Sequence, residues 1–316
     1  MRWMMTLALM TFAACGAADT PPDTPAPQES GPDEPIVDGV PEDDEVVVED
    51  LEPINPEAAP HSLHHRLALR HNEYVGASVE VRVDDVPRHG LRFFALQVNF
   101  ADVAWAHGGL QADPEDGKAN WGGLVSGIDY DFEGAELEVL SAVQNMPGRT
   151  SPADWEEDTW YRYDVRRGEL TELPPGEYSV LSEDPVMVEN AREMWEWSFS
   201  ITNVGTGEVV WENHLYVAHP VITSATYWTE TGYGIECTDK LTVKWRNPFF
   251  EREDGTSDLP HMIKKSMRQS DCPNSSTTDM AAADNGGEWG TVQFYGVERR
   301  PNSEDGDVLY LKAFGS

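Results

Sequence analysis

The chain has 316 residues, enough for one large domain or two small ones, and its 57 acidic against 22 basic residues give a net charge of −35. Binding to nucleic acid needs Lys and Arg patches that neutralise phosphates, so this balance argues against a nucleic-acid partner. No cofactor is predicted either, because the chain contains no phosphate-cradling glycine loop and no HExxH or GxSxG pattern.

The N-terminus predicts export. Residues 3–12 are almost entirely apolar, and the run is too short for a membrane span, which needs about 20 residues. Ala13 and Ala14 directly before Cys15 resemble the lipobox of bacterial lipoproteins, which implies a signal peptide over residues 1–14 and a lipid anchor on Cys15. The resemblance implies a protein of the cell envelope, anchored in the outer membrane; an ordinary signal peptide cleaved near Ala18 is the alternative.

Residues 15–60 are predicted to be a disordered tether. They contain 14 acidic residues, 10 of the 22 prolines, and no Lys or Arg. Such a segment cannot bury enough apolar surface to offset the entropy of ordering it. It suits a spacer between a membrane anchor and a folded domain.

Residues 61–316 are predicted to form one all-β domain, an antiparallel two-sheet sandwich of the concanavalin-like or jelly-roll type. Apolar residues alternate with polar ones over Trp195 to Ile201, and the turn sequence at residues 203–207 predicts a hairpin there. Residues 61–71 are predicted as a short helix or first strand, and residues 185–194 and 260–268 as short helices.

Two cysteines of this domain, Cys237 and Cys272, predict a disulfide. An even number of cysteines in an exported domain is typical of an oxidising compartment. Two buried free thiols are the alternative.

The first candidate site combines tryptophans with glycine pairs. Trp105, His107 and Gln111 lie in one run, and Trp121 follows in a second. Sugars stack their C–H faces on aromatic rings and bond their hydroxyls to polar groups, so we expect these four residues to bind carbohydrate. In the alternative, the tryptophans belong to the core and the glycines relieve crowding.

A second cluster, Tyr227, Trp228 and Glu230, offers exposed rings beside a carboxylate and is a further candidate carbohydrate platform. A core strand ending in a turn explains the same residues.

Three alternating carboxylates, Asp129, Asp131 and Glu133, share one face of a predicted strand. Such a set could bind Ca²⁺ or supply the acid and the nucleophile of a glycoside hydrolase. Concanavalin-like glycosidases place their carboxylates in a similar way, but their order begins with Glu, where this chain has Asp129. A solvated acidic face is the alternative. His61, His64 and His65 could share a helical face, but without a further ligand we predict no metal there.

The stretch from Leu91 to Val217 resembles an uncharacterised family of secreted bacterial β-sandwich domains. The GGLQ run, WYRYDV at residues 160–165 and WEWSFSI at residues 195–201 carry the likeness. The resemblance implies a fold of concanavalin type and no defined activity. We therefore expect a lipid-anchored envelope protein whose partners are the membrane and a glycan or an envelope protein. A glycoside hydrolase or lyase, and a structural or protein-interaction role, are the alternatives.

Overall fold

The computed structural model describes residues 62–87, 89–100, 104–112, 117–122, 150–178, 186–188, 191–231, 239–267, 276–279, 290–295 and 308–310. Within these ranges the protein is all-β, every strand pair is antiparallel, and no helix long and apolar enough to cross a bilayer is present. The predicted signal peptide, Cys15, the tether and both remaining cysteines lie outside these ranges. The structure does not test what was predicted for them, and these statements remain predictions.

Eighteen strands are described. In chain order they are β1 (Leu63–Ala68), β2 (Tyr74–Asp84), β3 (Arg92–Phe100), β4 (Trp105–Ala112), β5 (Lys118–Gly122), β6 (Thr150–Pro152), β7 (Trp160–Leu173), β8 (Gly176–Tyr178), β9 (Val186–Val188), β10 (Arg192–Asn203), β11 (Val209–Val217), β12 (Ile222–Thr231), β13 (Leu241–Arg252), β14 (Ser257–Asp258), β15 (Met262–Met267), β16 (Ser276–Asp279), β17 (Gly290–Tyr295) and β18 (Val308–Tyr310).

Sixteen of these strands form one continuous sheet with two arms, and β8 pairs separately with β9. The first arm has the order β11-β10-β7-β2-β13-β17-β16, with β14 also beside β13. The second arm has the order β6-β5-β4-β3-β12-β1-β15-β18. The arms join where Tyr74 of β2 lies opposite Ile222 of β12.

The main core lies where side chains of the two arms meet. Trp121 of the second arm stacks on Phe199 of the first, with ring centroids 5.0 Å apart, and Tyr227 stacks on Trp245 at 4.8 Å. Aromatic rings bury large apolar areas, and their offset stacking adds to that stabilisation. The core is therefore built chiefly by aromatic contacts between strands that are distant in sequence.

The alternation over Trp195 to Ile201 predicted β10 correctly, since Trp197, Phe199 and Ile201 are fully buried. The hairpin prediction is also confirmed, because β10 pairs with β11 across the turn. Gly207 takes a positive φ of 75° there, a conformation that glycine adopts without steric cost.

Both predicted helices are wrong. Residues 186–188 and 192–203 form strands, and β15 occupies most of the second predicted helix. In β15 the side chains of Ile263 and Lys265 are buried, whereas Lys264 is exposed, and the strand pairs with β1 and β18. Tertiary pairing on both edges therefore outweighs the helical preference of Met and Lys. Residues 63–68 form strand β1, which was one of the two readings left open.

The outer faces of the two arms differ in chemistry. On the first arm, ion pairs link β13 to β2: Arg246 contacts Glu80 at 2.6 Å, and Lys244 contacts Asp84 at 2.8 Å. Arg82, on the same strand as Asp84, also contacts that carboxylate at 2.8 Å. Opposite charges on neighbouring strands stabilise a solvated sheet surface. The second arm has aromatic and amide side chains on its outer face instead, and the candidate site lies there.

Candidate functional site

The aromatic–amide face is the outer face of strands β12, β3, β4 and β5. Its members share the strand positions that point away from the main core, and they are Phe93, Ala95, Gln97, Asn99, Trp105, His107, Gly109, Gln111, Lys118, Asn120, Ser224, Thr226, Trp228 and Glu230. Side chains two residues apart on a strand lie on the same face. Register alone therefore brings side chains from four strands together.

Five rings form a continuous cluster across this face. Trp228 stacks in parallel on His64 of β1, with centroids 5.4 Å apart, and meets Phe93 edge-on at 4.9 Å. His107 contacts both Phe93 and Trp228 edge-on at 5.4 Å and stacks on Trp105 at 5.0 Å. The cluster therefore runs from β1 to β4 and ends at Trp105.

The cluster is closed at one end and open at the other. Trp228 is 4% exposed, and with Phe93 and Ala95 it forms a small hydrophobic core of its own, separate from the main core. Trp105 and His107 are only partly buried. The open end is therefore the part of the cluster at which solvent meets aromatic surface.

Amide side chains line the open end. Gln97 lies opposite His107, and Asn99 lies opposite Trp105. Gln97 Nε2 donates to Asn99 Oδ1 at 2.9 Å, and Asn99 Nδ2 donates to Ser224 Oγ at 2.8 Å. This chain orients the amides beside the stacked rings and leaves other lone pairs and protons of the same groups for a ligand.

One cross-strand row of the face has no large side chain at its centre. Trp228, Ala95, Gly109 and Asn120 lie side by side on four strands. A Cβ on Gly109 would lie 1.8 Å from the carbonyl oxygen of Phe94, so close backbone approach requires glycine at this position. Between Trp228 and Asn120 the row therefore has only the small residues Ala95 and Gly109, which we call the low floor of the face.

Two polar atoms at the ends of that row are buried without a hydrogen-bond partner: Nε1 of Trp228, a donor, and Oδ1 of Asn120, an acceptor. A buried polar group that makes no hydrogen bond is costly. Three strand spacings of about 4.8 Å separate the two strands, so the atoms flank a floor roughly 14 Å across from backbone to backbone.

The residues proposed from the sequence fall into two groups. Trp105, His107, Gln111 and Glu230 lie on the aromatic–amide face and are partly buried, and Trp228 lies at its closed end. Trp121 and Tyr227 point into the main core instead.

For Trp121 the structure favours the alternative in which the ring is part of the core. The side chain is 0% exposed, and its Nε1 donates to the carbonyl oxygen of Trp197 at 3.2 Å. A Cβ on Gly108 would lie 2.8 Å from the Trp121 ring and 2.9 Å from Phe199, so this glycine makes room for core packing. The expectation that Trp121 presents its ring to a ligand is therefore corrected.

Tyr227 is also a core residue. Its ring stacks on Trp245, its hydroxyl is 2.9 Å from Thr291 Oγ1, and burial raises its pKa. The ring is therefore inaccessible to a sugar, and we remove Tyr227 from the candidate site.

Other members of the face were not proposed as ligand groups from the sequence. Gln97, Asn99 and Asn120 have no motif of their own. Alternation on β3 does place Gln97 and Asn99 opposite the apolar side, but only the pairing of β3 with β4 brings them beside Trp105. Strand order, which the sequence does not encode locally, assembles the face.

The carboxylates Asp129, Asp131 and Glu133 lie outside the described residues, as does His61. In the portion of the chain with described coordinates, no three His, Cys, Asp or Glu side chains are grouped so that they could hold a metal. His64 and His65 cannot share a metal as neighbours on one strand, because His64 points to the outer face and His65 to the core.

Fold and face together define an all-β, antiparallel protein with an aromatic and amide surface on one arm of its sheet. No protein-family model matches the sequence, and no curated protein is similar to it.

Solved structures that match this chain include SCP-B, a member of the eqolisin family of peptidases, in complex with the tripeptide Ala-Ile-His. The identity is 10%, the match covers 76% of this chain and 100% of that chain, and the TM-score is 0.40. Two structures of scytalido-glutamic peptidase also match. The one with a peptide-based transition state analog has 11% identity, coverage of 77% and 100%, and a TM-score of 0.39. The one with a transition state analog inhibitor has 10% identity, the same coverage and a TM-score of 0.40. The proposals below rest on this chain's own residues.

Proposed function

We propose that the protein binds carbohydrate on the aromatic–amide face. The observation that carries the proposal is the partly exposed Trp105 ring, stacked on His107 at 5.0 Å beside the hydrogen-bonded amides of Gln97 and Asn99. An aromatic ring accepts the C–H face of a pyranose, while amides donate to and accept from its hydroxyls. The fixed amides supply orientation, because Gln97 has one side-chain hydrogen bond within the protein and Asn99 has two.

A sugar stacked on Trp105 can extend along the strand rows toward the low floor at Ala95 and Gly109. If the side chains that cover them move aside, a hydroxyl there can accept from Trp228 Nε1 and another can donate to Asn120 Oδ1, two atoms that are buried without a partner. The chain's net charge of −35 favours a neutral glycan over an anionic one. We therefore propose a neutral oligosaccharide as the ligand.

The wider setting is also a proposal. We propose that the two arms are the two layers of a concanavalin-like or jelly-roll sandwich, supported by the stacking of Trp121 on Phe199 and of Tyr227 on Trp245. The alanines before Cys15 and the acidic segment after it support a lipid-anchored protein of the cell envelope.

The test is binding to a panel of neutral polysaccharides, measured by affinity electrophoresis and titration calorimetry. Trp105→Ala should weaken binding about ten-fold or more, because it removes the stacking platform, and should leave the far-UV CD spectrum unchanged. Trp160→Ala is the matched control, since Trp160 is equally half-buried but lies under Arg246 on the other arm. Full binding by Trp105→Ala would show that the site lies elsewhere, and no binding to any glycan would contradict the function.

A glycoside hydrolase or lyase is the second candidate, favoured by the alternating Asp129, Asp131 and Glu133. The same panel assayed for released reducing ends separates the two. Activity that Asp131→Asn abolishes would replace the binding proposal with the enzyme, whereas an unchanged panel would contradict the enzyme.

A further inference from the structure

Arg92 is a fully buried arginine whose guanidinium makes no hydrogen bond. The residue is 0% exposed, and Nε and both terminal nitrogens are buried without a partner. It begins β3 and shares the core-facing parity of Phe94 and Leu96, one row outside Phe94. A guanidinium carries five donors, so this is the largest unmet hydrogen-bonding demand in the described part of the chain.

We propose that Arg92 is the binding group of an internal site for a small carboxylate anion. The site lies at the end of the core, where the guanidinium carbon is 5.0 Å from the centre of the Tyr295 ring. This inference is independent of the carbohydrate proposal, because it concerns the opposite face of β3.

Among the described residues, Tyr295 and Gln293 cannot supply the missing partner, because their polar groups are already engaged. The Tyr295 hydroxyl donates to the carbonyl oxygen of Thr229 at 3.3 Å. Gln293 accepts from Thr229 and Trp245 with its oxygen and donates to the Leu63 carbonyl and to His65 with its nitrogen. The acceptors of Tyr295 and Gln293 are therefore engaged, the unpaired His65 Nε2 is a donor, and the Arg92 guanidinium is left without a hydrogen bond.

Arg92 remains that cation at neutral pH. Burial lowers its pKa to about 10, and the nearby Tyr295 and Asp239 oppose the fall. Moving an unpaired charge from water into the protein interior is among the most unfavourable steps in folding unless an opposite charge accompanies it. An internal counterion is therefore required.

The chemistry of the guanidinium selects the anion. Its planar fork matches the two oxygens of a carboxylate, with two parallel N–H···O bonds. One guanidinium balances one negative charge, so a dianion such as sulfate would leave a charge uncompensated in the interior. His65 stays neutral, since burial holds its pKa at about 3, and the fully buried Lys265 is not without an interaction partner. A monocarboxylate therefore fits better than a dianion.

Asp239 is the internal alternative to a bound ligand. Its carboxylate is mostly buried and pairs with His89 Nε2 at 3.0 Å rather than with Arg92. A shift of this side chain would give Arg92 a partner from the chain itself. The experiment has to distinguish the two sources.

The test measures the thermal midpoint of the purified protein in sodium acetate, sodium formate, sodium sulfate and sodium chloride at equal ionic strength. Acetate and formate should raise the midpoint in a saturable manner, because a ligand that binds only the folded state stabilises it. Sulfate should raise it only by the general, non-saturating effect of an excluded salt, equally in wild type and in Arg92→Met. Arg92→Met should abolish the acetate response and raise the midpoint in chloride, since it replaces an unpaired buried charge with an apolar chain of similar length. Arg162→Met, at an exposed arginine paired with Asp164, should keep the response.

An equal acetate response in Arg92→Met would overturn the proposal. The proposal would also be overturned if the wild-type protein shows no acetate response and the Asp239→Asn variant is less stable than wild type. That result would identify Asp239 as the counterion of Arg92. If Arg92→Met does not fold, ¹³C-acetate NMR on the wild type decides. A bound resonance that excess formate displaces supports the site, and its absence refutes it.

Discussion

The buried His65 predicts a steep loss of stability in mild acid. Its side chain is 0% exposed, and burial, followed by the nearby Lys265, lowers its pKa to about 3. The Gln293 amide oxygen accepts from Thr229 at 2.6 Å and from Trp245 at 3.0 Å, so the amide nitrogen must donate to His65 Nδ1 at 2.9 Å. The folded protein therefore holds a neutral imidazole with its proton on Nε2, a tautomer assigned from the network.

The sign and size of the effect follow from linkage. The unfolded chain takes up a proton near pH 6.5, and the folded protein does so only near pH 3. Stability is therefore complete above pH 6.5 and falls as the pH drops toward 3. The slope reaches about 1.4 kcal/mol per pH unit, and the loss between pH 7 and pH 5 is about 2 kcal/mol.

Urea unfolding followed by tryptophan fluorescence at pH 7, 6 and 5 measures this loss. His65→Gln should lower stability at pH 7 through lost packing, but the decline between pH 7 and pH 5 should be smaller by about 2 kcal/mol than in wild type. His261→Gln, at an exposed histidine, controls for the removal of a histidine as such. A His65→Gln protein with the full wild-type decline would refute the reasoning, because the protons would then bind elsewhere.

Three further predictions test the core. Trp121→Leu should lower the free energy of unfolding by about 2–4 kcal/mol in urea; an unchanged value would mean that the ring is not core. Tyr163→Phe should cost about 1–3 kcal/mol in the same assay, because its buried hydroxyl accepts from Leu110 N at 2.9 Å and donates to Phe94 O at 3.0 Å. An unchanged free energy of unfolding would mean that water replaces the Tyr163 hydroxyl at Leu110 N and Phe94 O. Gly108→Val should prevent soluble folded expression, since its Cβ meets the Trp121 ring at 2.8 Å; a folded, stable variant would contradict the packing.

Local alternation was enough to predict many of the strands, though not β9 or β15, and in β4 it also indicates which side chains share a face. In β4, Ala106, Leu110 and Ala112 share one parity and are buried, which leaves Trp105 and His107 on the other. The all-β class follows from the same pattern in many segments. These features depend only on residues within one strand, so they can be predicted from the local sequence.

The same parity rule could have separated the tryptophans. In β5, Trp121 shares its parity with Ala119, whereas Lys118 and Asn120 take the other, so period-two alternation assigns Trp121 to the core. Glycine close to tryptophan in the sequence is compatible with a ligand site and with core packing. The pattern alone therefore does not distinguish the two roles. The position of Phe199, 91 residues after Gly108 in the chain, shows that this glycine serves packing.

The position of the open aromatic end argues for a ligand rather than for stability alone. On the same face, Phe93, Ala95 and Trp228 are buried and form a small core, which is what rings that serve stability should do. Trp105 and His107 extend beyond that core and keep part of their surface in water. Exposing aromatic surface to water is unfavourable. The first arm shows that this sheet can cover an outer face with ion pairs such as Arg246–Glu80. A partly exposed ring stack beside fixed amides is therefore best explained by a molecule that covers it, and the glycan panel with Trp105→Ala measures whether one does.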